Sequence, residues 1–286
     1  MSADTRVYGL LGWPLEHTLS PALHAAAFRA RGLDAIYLPF PVPPEALADA
    51  VRGVRALGIA GANVTVPHKQ SVLALLDVVE PEARTIGAVN TIAREGGVLV
   101  GCNTDAAGLV RALEAAGAVL AQADVVVVGA GGAARAAVFG LARAGARRIT
   151  IAARRADQAA RLVRDLAAAR GRSTLVALGL GAGVELREAF GCASLVVQAT
   201  PATTGPTPAS AAAFVRGLPL VALRDDALLV DLAYAPADTA LLVEARRRGL
   251  RALGGPEMLL HQGALAFERW TGSPAPLDAM RAALSG

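Results

Sequence analysis

Cysteine, lysine and aromatic residues are scarce in this sequence. Two of its 286 residues are cysteine and 4% are aromatic. Because Cys102 and Cys192 have no metal-type spacing, the sequence predicts no metal site. So few cysteines are typical of a reducing compartment, and the first residues lack the basic stretch and apolar core of a secretory signal. We therefore expect a cytoplasmic location.

Long apolar runs are missing as well, although 54% of the residues are hydrophobic and the mean hydropathy is +0.45. The longest uncharged stretch, residues 189–215, is interrupted by Gln198 and by several prolines and glycines. No run of about 20 apolar residues exists, so the sequence predicts no membrane span. The hydrophobic content also excludes an intrinsically disordered chain.

Positive charge comes almost entirely from arginine. The 28 basic residues include a single lysine, Lys69, and the net charge is +4. The arginines are scattered, whereas nucleic-acid binding needs a clustered basic face, so we expect no nucleic-acid partner. An ammonium group releases a proton far more readily than a guanidinium group does. Lys69 is therefore a candidate for proton transfer, the alternative being a surface lysine without a role.

A glycine-rich turn lies between a strand-like and a helix-like segment in the middle of the chain. The β-branched run at residues 125–128 predicts a strand buried on both faces, and Gly129-Ala130-Gly131-Gly132-Ala133-Ala134 follows it. Gly129 permits the tight turn, Gly131 lets the backbone approach a pyrophosphate, and Ala134 allows close packing of helix on strand. Free N–H groups at the start of the helix favour phosphate. This context predicts a dinucleotide site.

The end of the next predicted strand is basic. Arg154 and Arg155 lie there, and the first acid after them is Asp157. Proteins that bind NAD usually have Asp or Glu at this point, on the ribose 2′-hydroxyl. Two guanidinium groups instead suit a 2′-phosphate, which they bind by charge-assisted hydrogen bonds. We therefore expect NADP, with Arg154 the stronger candidate; the alternative is a solvated arginine pair.

Strand-like and helix-like segments alternate along the whole chain, which is typical of α/β proteins with doubly wound sheets. The residues that precede the unit with the glycine turn need a core of their own. We therefore predict two domains. An N-terminal α/β domain is expected to comprise residues 1–104 plus the returning residues 255–286, and residues 105–254 are expected to form a Rossmann-like NADP-binding domain.

Several polar residues follow predicted strands or precede predicted helices. Asp105 and Ser20 suit helix N-caps, and Asn90 suits a turn. Thr18 and Tyr234 lie at similar places in the pattern. The ends of strands are also where α/β proteins bind ligands. Taken alone, these residues leave both the structural and the functional role open.

These polar residues lie in motifs that resemble those of the shikimate dehydrogenase family, and the resemblance spans nearly the whole chain. In the family's order, the motifs occur here as Thr18-Leu19-Ser20-Pro21, Asn63-Val64-Thr65-Val66-Pro67-His68-Lys69, Gly87-Ala88-Val89-Asn90-Thr91, Asn103-Thr104-Asp105, the glycine turn, Asp231-Leu232-Ala233-Tyr234 and Met258-Leu259-Leu260-His261-Gln262-Gly263. The resemblance implies an NADP-dependent oxidoreductase of aromatic amino-acid (chorismate) biosynthesis that reversibly reduces 3-dehydroshikimate to shikimate.

The resemblance also implies roles for individual residues. Lys69 is expected to act as the acid and base, with Asp105 as its partner. The expected substrate ligands are Thr18, Ser20, Asn63, Thr65, Asn90, Tyr234 and Gln262. The expected cofactor ligands are Gly129, Ala130, Gly131, Gly132, Ala133, Arg154 and Arg155, with Leu232, Gly255 and Met258 around the nicotinamide.

Two positions depart from the family pattern. Thr18 replaces the first serine of Ser-x-Ser-Pro and adds a methyl group beside the expected substrate carboxylate, and Ala153-Arg154-Arg155 replaces Asn-Arg-Thr. The methyl group of Thr18 leaves open a related specificity, such as quinate or an amino-substituted shikimate. The alternative is therefore a quinate/shikimate dehydrogenase with broader substrate or NAD use, although the arginine pair argues against NAD. A binding or regulatory protein that keeps the fold without chemistry is a further alternative. We expect a small-molecule substrate, no membrane partner, and a monomer or homodimer.

Overall fold

A computed structural model describes residues 4–15, 18–205, 207–234 and 236–284. The chain divides into two compact units, one of residues 1–108 with 259–286 and one of residues 109–258. Each unit contains a six-stranded sheet with helices around it, which confirms the predicted α/β class. None of the helices in the described residues has the length and apolarity needed to cross a membrane.

Strands β1 to β6 form the sheet of the first unit, and β7 to β12 form the sheet of the second. The first set is β1 Arg6–Gly12, β2 Ala35–Pro41, β3 Gly61–Val64, β4 Val78–Val79, β5 Thr91–Glu95 and β6 Val98–Cys102. The second set is β7 Asp124–Val128, β8 Arg148–Ala153, β9 Thr174–Gly179, β10 Leu195–Gln198, β11 Leu228–Asp231 and β12 Arg251–Leu253.

Helices connect the strands of both units. In chain order they are α1 Ser20–Ala30, α2 Leu47–Ala56, α3 Pro81–Ile86, α4 Asp105–Ala115, α5 Gly132–Arg143, α6 Ala156–Asp165, α7 Gly183–Cys192, α8 Pro208–Arg216, α9 Ala240–Arg247, α10 Gly255–Thr271 and α11 Leu277–Ala282. The chain passes from one unit to the other within α4 and again within α10.

The first sheet is mixed and has the strand order β2-β1-β3-β5-β6-β4. Strand β1 pairs in parallel with β2 and β3, whereas β5 is antiparallel to both β3 and β6. Strands β3 and β6 therefore run in the same direction on either side of β5. Their carboxyl ends and the amino end of β5 consequently lie at one edge of the sheet, where the side chains that follow them can meet.

The second sheet is parallel throughout and has the strand order β12-β11-β10-β7-β8-β9. Counted from β7, this is the order 3-2-1-4-5-6 of the Rossmann fold. The order reverses between β7 and β10, and ligands of such sheets bind outside the carboxyl ends of the strands at that point. The glycine turn begins there, directly after β7.

Apolar strand residues form the core of each unit. In the first unit Val64 of β3, Ile92 of β5 and Leu99 of β6 are almost completely buried. In the second unit Val126 of β7 packs in one cluster with Phe190 of α7. Because residues 125–128 are all buried, the β-branched run does form a strand covered on both faces, as predicted.

The start of α1 differs by one residue from the predicted cap. Ser20 is the first residue of the helix and not its N-cap, and its N–H donates to Thr18 Oγ1 at 3.3 Å. Leu19 is the N-cap instead, and its side chain makes no cap hydrogen bond. The correction leaves Ser20 buried on the first turn of α1.

A buried histidine packs among aromatic rings in the core of the first unit. The rings of His24 and Tyr37 are stacked, with centroids 4.4 Å apart and an interplanar angle of 15°. The centroid of the Trp270 ring lies 5.1 Å from that of His24. Burial lowers the pKa of His24 to about 3, an effect that the neighbouring Asn63 amide only partly offsets. The folded protein therefore holds a neutral imidazole here.

We expect His24 to make the protein less stable as the pH falls. The unfolded chain takes up this proton near the ordinary pKa of 6.5, whereas folded His24 takes it up only near 3. Between these values the unfolded state binds the extra proton, so the free energy of unfolding should fall by about 2 kcal/mol from pH 7 to pH 5 because of this group. Urea unfolding of His24→Phe and His24→Gln should show this part of the pH dependence lost; an unchanged dependence in both would contradict it.

Candidate active site

Lys69 and Asp105 meet at the shared edge of the first sheet. Lys69 Nζ lies 2.5 Å from Asp105 Oδ2, and the two side chains are 14% and 4% exposed. Lys69 belongs to the segment that follows β3, and Asp105 is the first residue of α4, which follows β6. The sheet topology therefore brings together an ammonium and a carboxylate that are far apart in the sequence.

The N-cap role that we considered for Asp105 belongs to Asn103. Asn103 Oδ1 accepts from the Ala106 N–H at 3.1 Å, and Asn103 Nδ2 donates to the Ala88 carbonyl at 2.8 Å. The first turn of α4 is thus capped from two residues further back. Because the cap is already supplied, both carboxylate oxygens of Asp105 are directed at other side chains.

Buried hydrogen bonds hold the segment that carries Lys69. The ring of His68 is buried, and its Nε2 donates to the Val42 carbonyl at 2.6 Å. The His68 N–H donates to the Thr65 carbonyl at 2.8 Å, and the Lys69 carbonyl accepts from the Val89 N–H at 2.8 Å. These bonds place the backbone of Lys69 against two neighbouring segments, so only its side chain is left to position.

Asn90 links the ion pair to the rest of the sheet edge. Its Nδ2 donates to Asp105 Oδ1 at 2.8 Å and to Thr104 Oγ1 at 2.9 Å, and Gln262 Oε1 lies 3.3 Å away. Its Oδ1 accepts from the Thr104 N–H at 2.7 Å. Asn90 therefore does not only form a turn, because its amide also binds the second carboxylate oxygen of Asp105.

The remaining polar residues predicted for the first unit divide into two sets. Asn63 is buried next to Asn90, whose carbonyl accepts from Asn63 Nδ2 at 3.2 Å. Ser20, Thr18 and Thr65 are buried or half-buried. Among the described residues, these last three have no hydrogen bond to the ion pair or to Asn90, so the structure does not join them to this group.

The glycine turn of the second unit requires glycine at its first position. Gly129 has φ +123°, and a Cβ there would lie 2.9 Å from Thr200 Cγ2. Gly131 has an extended backbone with open space where a Cβ would stand. Helix α5 begins directly after it, and Arg154 and Arg155 are exposed just beyond β8. The turn therefore offers a free backbone surface at the start of a helix.

A buried carboxylate holds the segment after β11. Asp231 Oδ1 accepts from the Ala233 N–H at 3.1 Å, and Oδ2 accepts from Thr239 Oγ1 at 2.6 Å. Burial raises the pKa of Asp231, and these hydrogen bonds oppose the rise. A Cβ at Gly255 would lie 2.7 Å from the Leu232 carbonyl oxygen, so this backbone approaches residues 232–233 closely.

The structure also shows polar residues to which the sequence analysis gave no role. The Thr91 hydroxyl donates a hydrogen bond to Asn90 Oδ1 and lies within hydrogen-bond distance of the Thr104 hydroxyl. Tyr37 OH donates to Asn63 Oδ1 at 2.8 Å. A signal for two of them was present. Thr91 and Thr104 each follow an asparagine within the family-like motifs, as Asn90-Thr91 and Asn103-Thr104.

The strand order of the second unit and its glycine turn define a Rossmann-type dinucleotide-binding protein. The family model "Shikimate dehydrogenase substrate binding domain" matches residues 10–92, and the model "Shikimate / quinate 5-dehydrogenase" matches residues 111–237. A third, "Shikimate 5'-dehydrogenase C-terminal domain", matches residues 255–284. This chain belongs to the shikimate dehydrogenase family.

Curated relatives match nearly the full length of the chain. The NADP⁺ shikimate dehydrogenase of Symbiobacterium thermophilum is 45% identical over 97% of this chain and 93% of its own length. The NADP⁺ shikimate dehydrogenase of Methanopyrus kandleri is also 45% identical, over 99% of this chain and 96% of its own.

Solved structures agree with this placement and confirm the predicted two-domain fold class. A shikimate dehydrogenase in complex with NADP⁺ superposes with a TM-score of 0.86 at 37% identity, covering 100% of this chain and 96% of that chain. The enzyme of Thermus thermophilus in complex with NADP(H) and shikimate gives 0.82 at 37% identity, covering 98% of each chain. A quinate dehydrogenase of Corynebacterium glutamicum in complex with NAD gives 0.84 at 31% identity, covering 98% of this chain and 99% of that chain.

Gly129→Ala and Gly131→Ala form a matched pair that tests the two glycine positions. The left-handed backbone of Gly129 and its contact with Thr200 should cost Gly129→Ala at least about 2 kcal/mol of unfolding free energy. Gly131→Ala meets open space and should change that free energy by less than about 0.5 kcal/mol. Urea unfolding without ligand measures both; equal losses would contradict the assignment.

Proposed function

We propose that this protein catalyses the reversible NADP-dependent reduction of 3-dehydroshikimate to shikimate. The observation that carries the proposal is the 2.5 Å contact between Lys69 Nζ and Asp105 Oδ2. It supplies a proton donor and a hydrogen-bonding carboxylate in one small volume, in a chain that is 45% identical to curated enzymes of this activity. The presence of both groups also argues against a binding protein without chemistry.

Lys69 and Asp105 have different roles at the reacting oxygen: Lys69 transfers the proton, and Asp105 orients the groups. Bound NADPH supplies the hydride that reduces the ring carbonyl carbon. As negative charge develops on the oxygen, Lys69 Nζ donates a proton to it, and in the reverse direction the neutral amine takes that proton back. Asp105 orients the ammonium and accepts a hydrogen bond from the product hydroxyl. Acid–base help of this kind is typically worth about 10²–10⁴-fold in rate.

Hydroxyl and amide groups are proposed to hold the substrate. Thr18, Ser20 and Tyr234 bind its carboxylate, and a threonine at the first of these positions keeps the hydroxyl of the family's serine. The ring hydroxyls are bound by Thr65, Asn90 and Gln262, with Asn63 close to them. A site built from buried hydrogen-bonding groups rejects analogues that lack the hydroxyls, because the groups would be left unpaired.

The residues around the glycine turn fit NADP. The open space at Gly131 and the helix start at Gly132 suit a diphosphate, to which Gly129, Ala130 and Ala133 lie adjacent. Arg154 and Arg155 are exposed and follow β8, where a ribose 2′-phosphate would need cations. Around the nicotinamide we propose Leu232, Gly255 and Met258.

The wider assignments follow from this activity. We propose residues 1–104 plus 255–286 as the substrate-binding domain and residues 105–254 as the NADP-binding domain. The partner is a small-molecule substrate, and the chain acts as a monomer or homodimer. Both cysteines are free thiols, which fits the reducing cytoplasm proposed as its location.

A quinate/shikimate dehydrogenase that also uses NAD is the second candidate. The methyl group of Thr18 changes the surroundings of the substrate carboxylate, and the structural relatives include a quinate dehydrogenase in complex with NAD. Arg154 and Arg155 favour NADP instead. Turnover of shikimate and quinate, each with NADP and with NAD, decides between the two: shikimate with NADP should be the fastest pair, and comparable turnover of quinate with NAD would support the second candidate.

Lys69→Ala should lower kcat by at least about 10²-fold with a smaller change in KM, because it removes the group that moves the proton. Lys69→Arg is the matched control for charge. Its guanidinium can keep an ion pair with Asp105 but does not readily release a proton, so it should also be slow. Steady-state kinetics with shikimate and NADP measure both, and a near-normal kcat for Lys69→Ala would remove this residue from the mechanism.

Arg154→Ala should raise KM for NADP far more than KM for NAD, because only NADP carries the 2′-phosphate that the guanidinium binds. Arg161→Ala, at an exposed position on the neighbouring helix α6, is the control and should leave both values unchanged. The two KM values are measured with the same substrate. Equal effects of Arg154→Ala on NADP and NAD would show that Arg154 does not recognise the 2′-phosphate.

A further inference from the structure

Two threonine hydroxyls close a ring of hydrogen bonds on the Asn90 amide. Asn90 Nδ2 donates to Thr104 Oγ1 at 2.9 Å, and Thr104 Oγ1 lies 3.2 Å from Thr91 Oγ1. Thr91 Oγ1 in turn donates to Asn90 Oδ1 at 3.2 Å. One continuous series of hydrogen bonds therefore starts at Nδ2 of the Asn90 side chain and returns to its Oδ1.

The donors and acceptors of the ring can all be paired only when Thr104 donates to Thr91 and Thr91 donates to Asn90. Thr104 Oγ1 accepts from Asn90, so its own proton must go to another acceptor, and Thr91 Oγ1 is in reach. Asn63 Nδ2 donates to Thr91 Oγ1 at 3.0 Å and cannot accept, which leaves the Thr91 proton for Asn90 Oδ1. Each hydroxyl therefore donates once, and every donor has an acceptor.

The residues of this hydrogen-bonded ring are buried, so the loss of one bond has a large effect on the others. Thr91 is 0% and Asn90 2% exposed, so water is not at hand to replace a lost partner. Without the Thr91 hydroxyl, Thr104 would lose the acceptor for its proton and Asn63 Nδ2 would lose one of its acceptors. Buried polar groups left in that state are costly, and the side chains would have to move to recover partners.

The ring acts on the ion pair through a single bond. With Asn90 Oδ1 held by Thr91 and by the Thr104 N–H, Asn90 Nδ2 is aimed at Asp105 Oδ1, 2.8 Å away. The other oxygen of Asp105 is thereby turned toward Lys69 Nζ. We propose that Thr91 is a positioning residue for the reaction, acting with Thr104 through Asn90 to set the orientation of Asp105; this inference rests on the proposed function of the Lys69–Asp105 pair.

Thr91→Val and Thr91→Ser test the proposal. Valine keeps the shape but removes the hydroxyl, so kcat for shikimate oxidation should fall about tenfold while KM changes less than about threefold. Serine restores the hydroxyl and should return kcat to within about twofold of the original protein. Thr150→Val, which removes a buried hydroxyl from β8 of the other unit, is the control and should leave kcat unchanged.

Two outcomes of the kinetic experiment would overturn the proposal. One is a Thr91→Val variant that keeps kcat within about twofold of the original protein. The other is a Thr91→Ser variant as slow as Thr91→Val, since the methyl group and not the hydroxyl would then matter. Absence of shikimate turnover in the unchanged protein would instead count against the proposed function.

A ligand-free measurement tests the ring independently of activity. In thermal unfolding without substrate or NADP, Thr91→Val should lower the Tm of the original protein. The same change should lower the Tm of an Asn90→Ala variant by less than half as much, because the ring is already broken there. Equal shifts in the two backgrounds would show that the Thr91 hydroxyl does not act through Asn90.

Discussion

The ion pair between Lys69 Nζ and Asp105 Oδ2 is the interaction on which the site depends. A charged pair with so little exposure is tolerable only when its remaining hydrogen-bonding capacity is met, because removing the charges from water is expensive. Asn90 meets that need by donating to the second oxygen of Asp105. The polar residues packed around the pair can therefore be understood as the means of keeping a proton donor and its carboxylate in one geometry.

The mixed topology of the first sheet makes this arrangement possible. Strands β3 and β6 flank the antiparallel β5, so the segment that bears Lys69, the segment before β5 that bears Asn90, and the start of α4 meet at one edge. Local contacts then refine the positions. His68 anchors the Lys69 segment on Val42, and Asn103 caps α4 so that the Asp105 carboxylate is available for the pair. In the second unit a buried side chain likewise fixes a segment that follows a strand: the Asp231 carboxylate accepts a hydrogen bond from the backbone after β11.

Local patterns in the sequence were sufficient for the fold class and the Rossmann-like unit, whereas the pairing of Lys69 with Asp105 followed only from the resemblance to the family. The β-branched run before Gly129 and the single lysine are features that a sequence displays without any knowledge of contacts. The capping of α4 by Asn103 in place of Asp105 was not predictable, since both residues suit an N-cap and their different partners are seen only in the folded chain. Thr91 was missed for a related reason: its three side-chain partners, Asn63, Asn90 and Thr104, come together only when β3, β5 and β6 pair.

Coupling between the two charged groups is the central claim, and a double-mutant cycle on kcat measures it most directly. Lys69→Ala, Asp105→Ala and the double variant are compared with the original protein under saturating shikimate and NADP. If the two side chains act as one unit, the double variant should be about as slow as the slower single variant. Losses that multiply, so that the double variant is slower by the product of the two single effects, would contradict the claim.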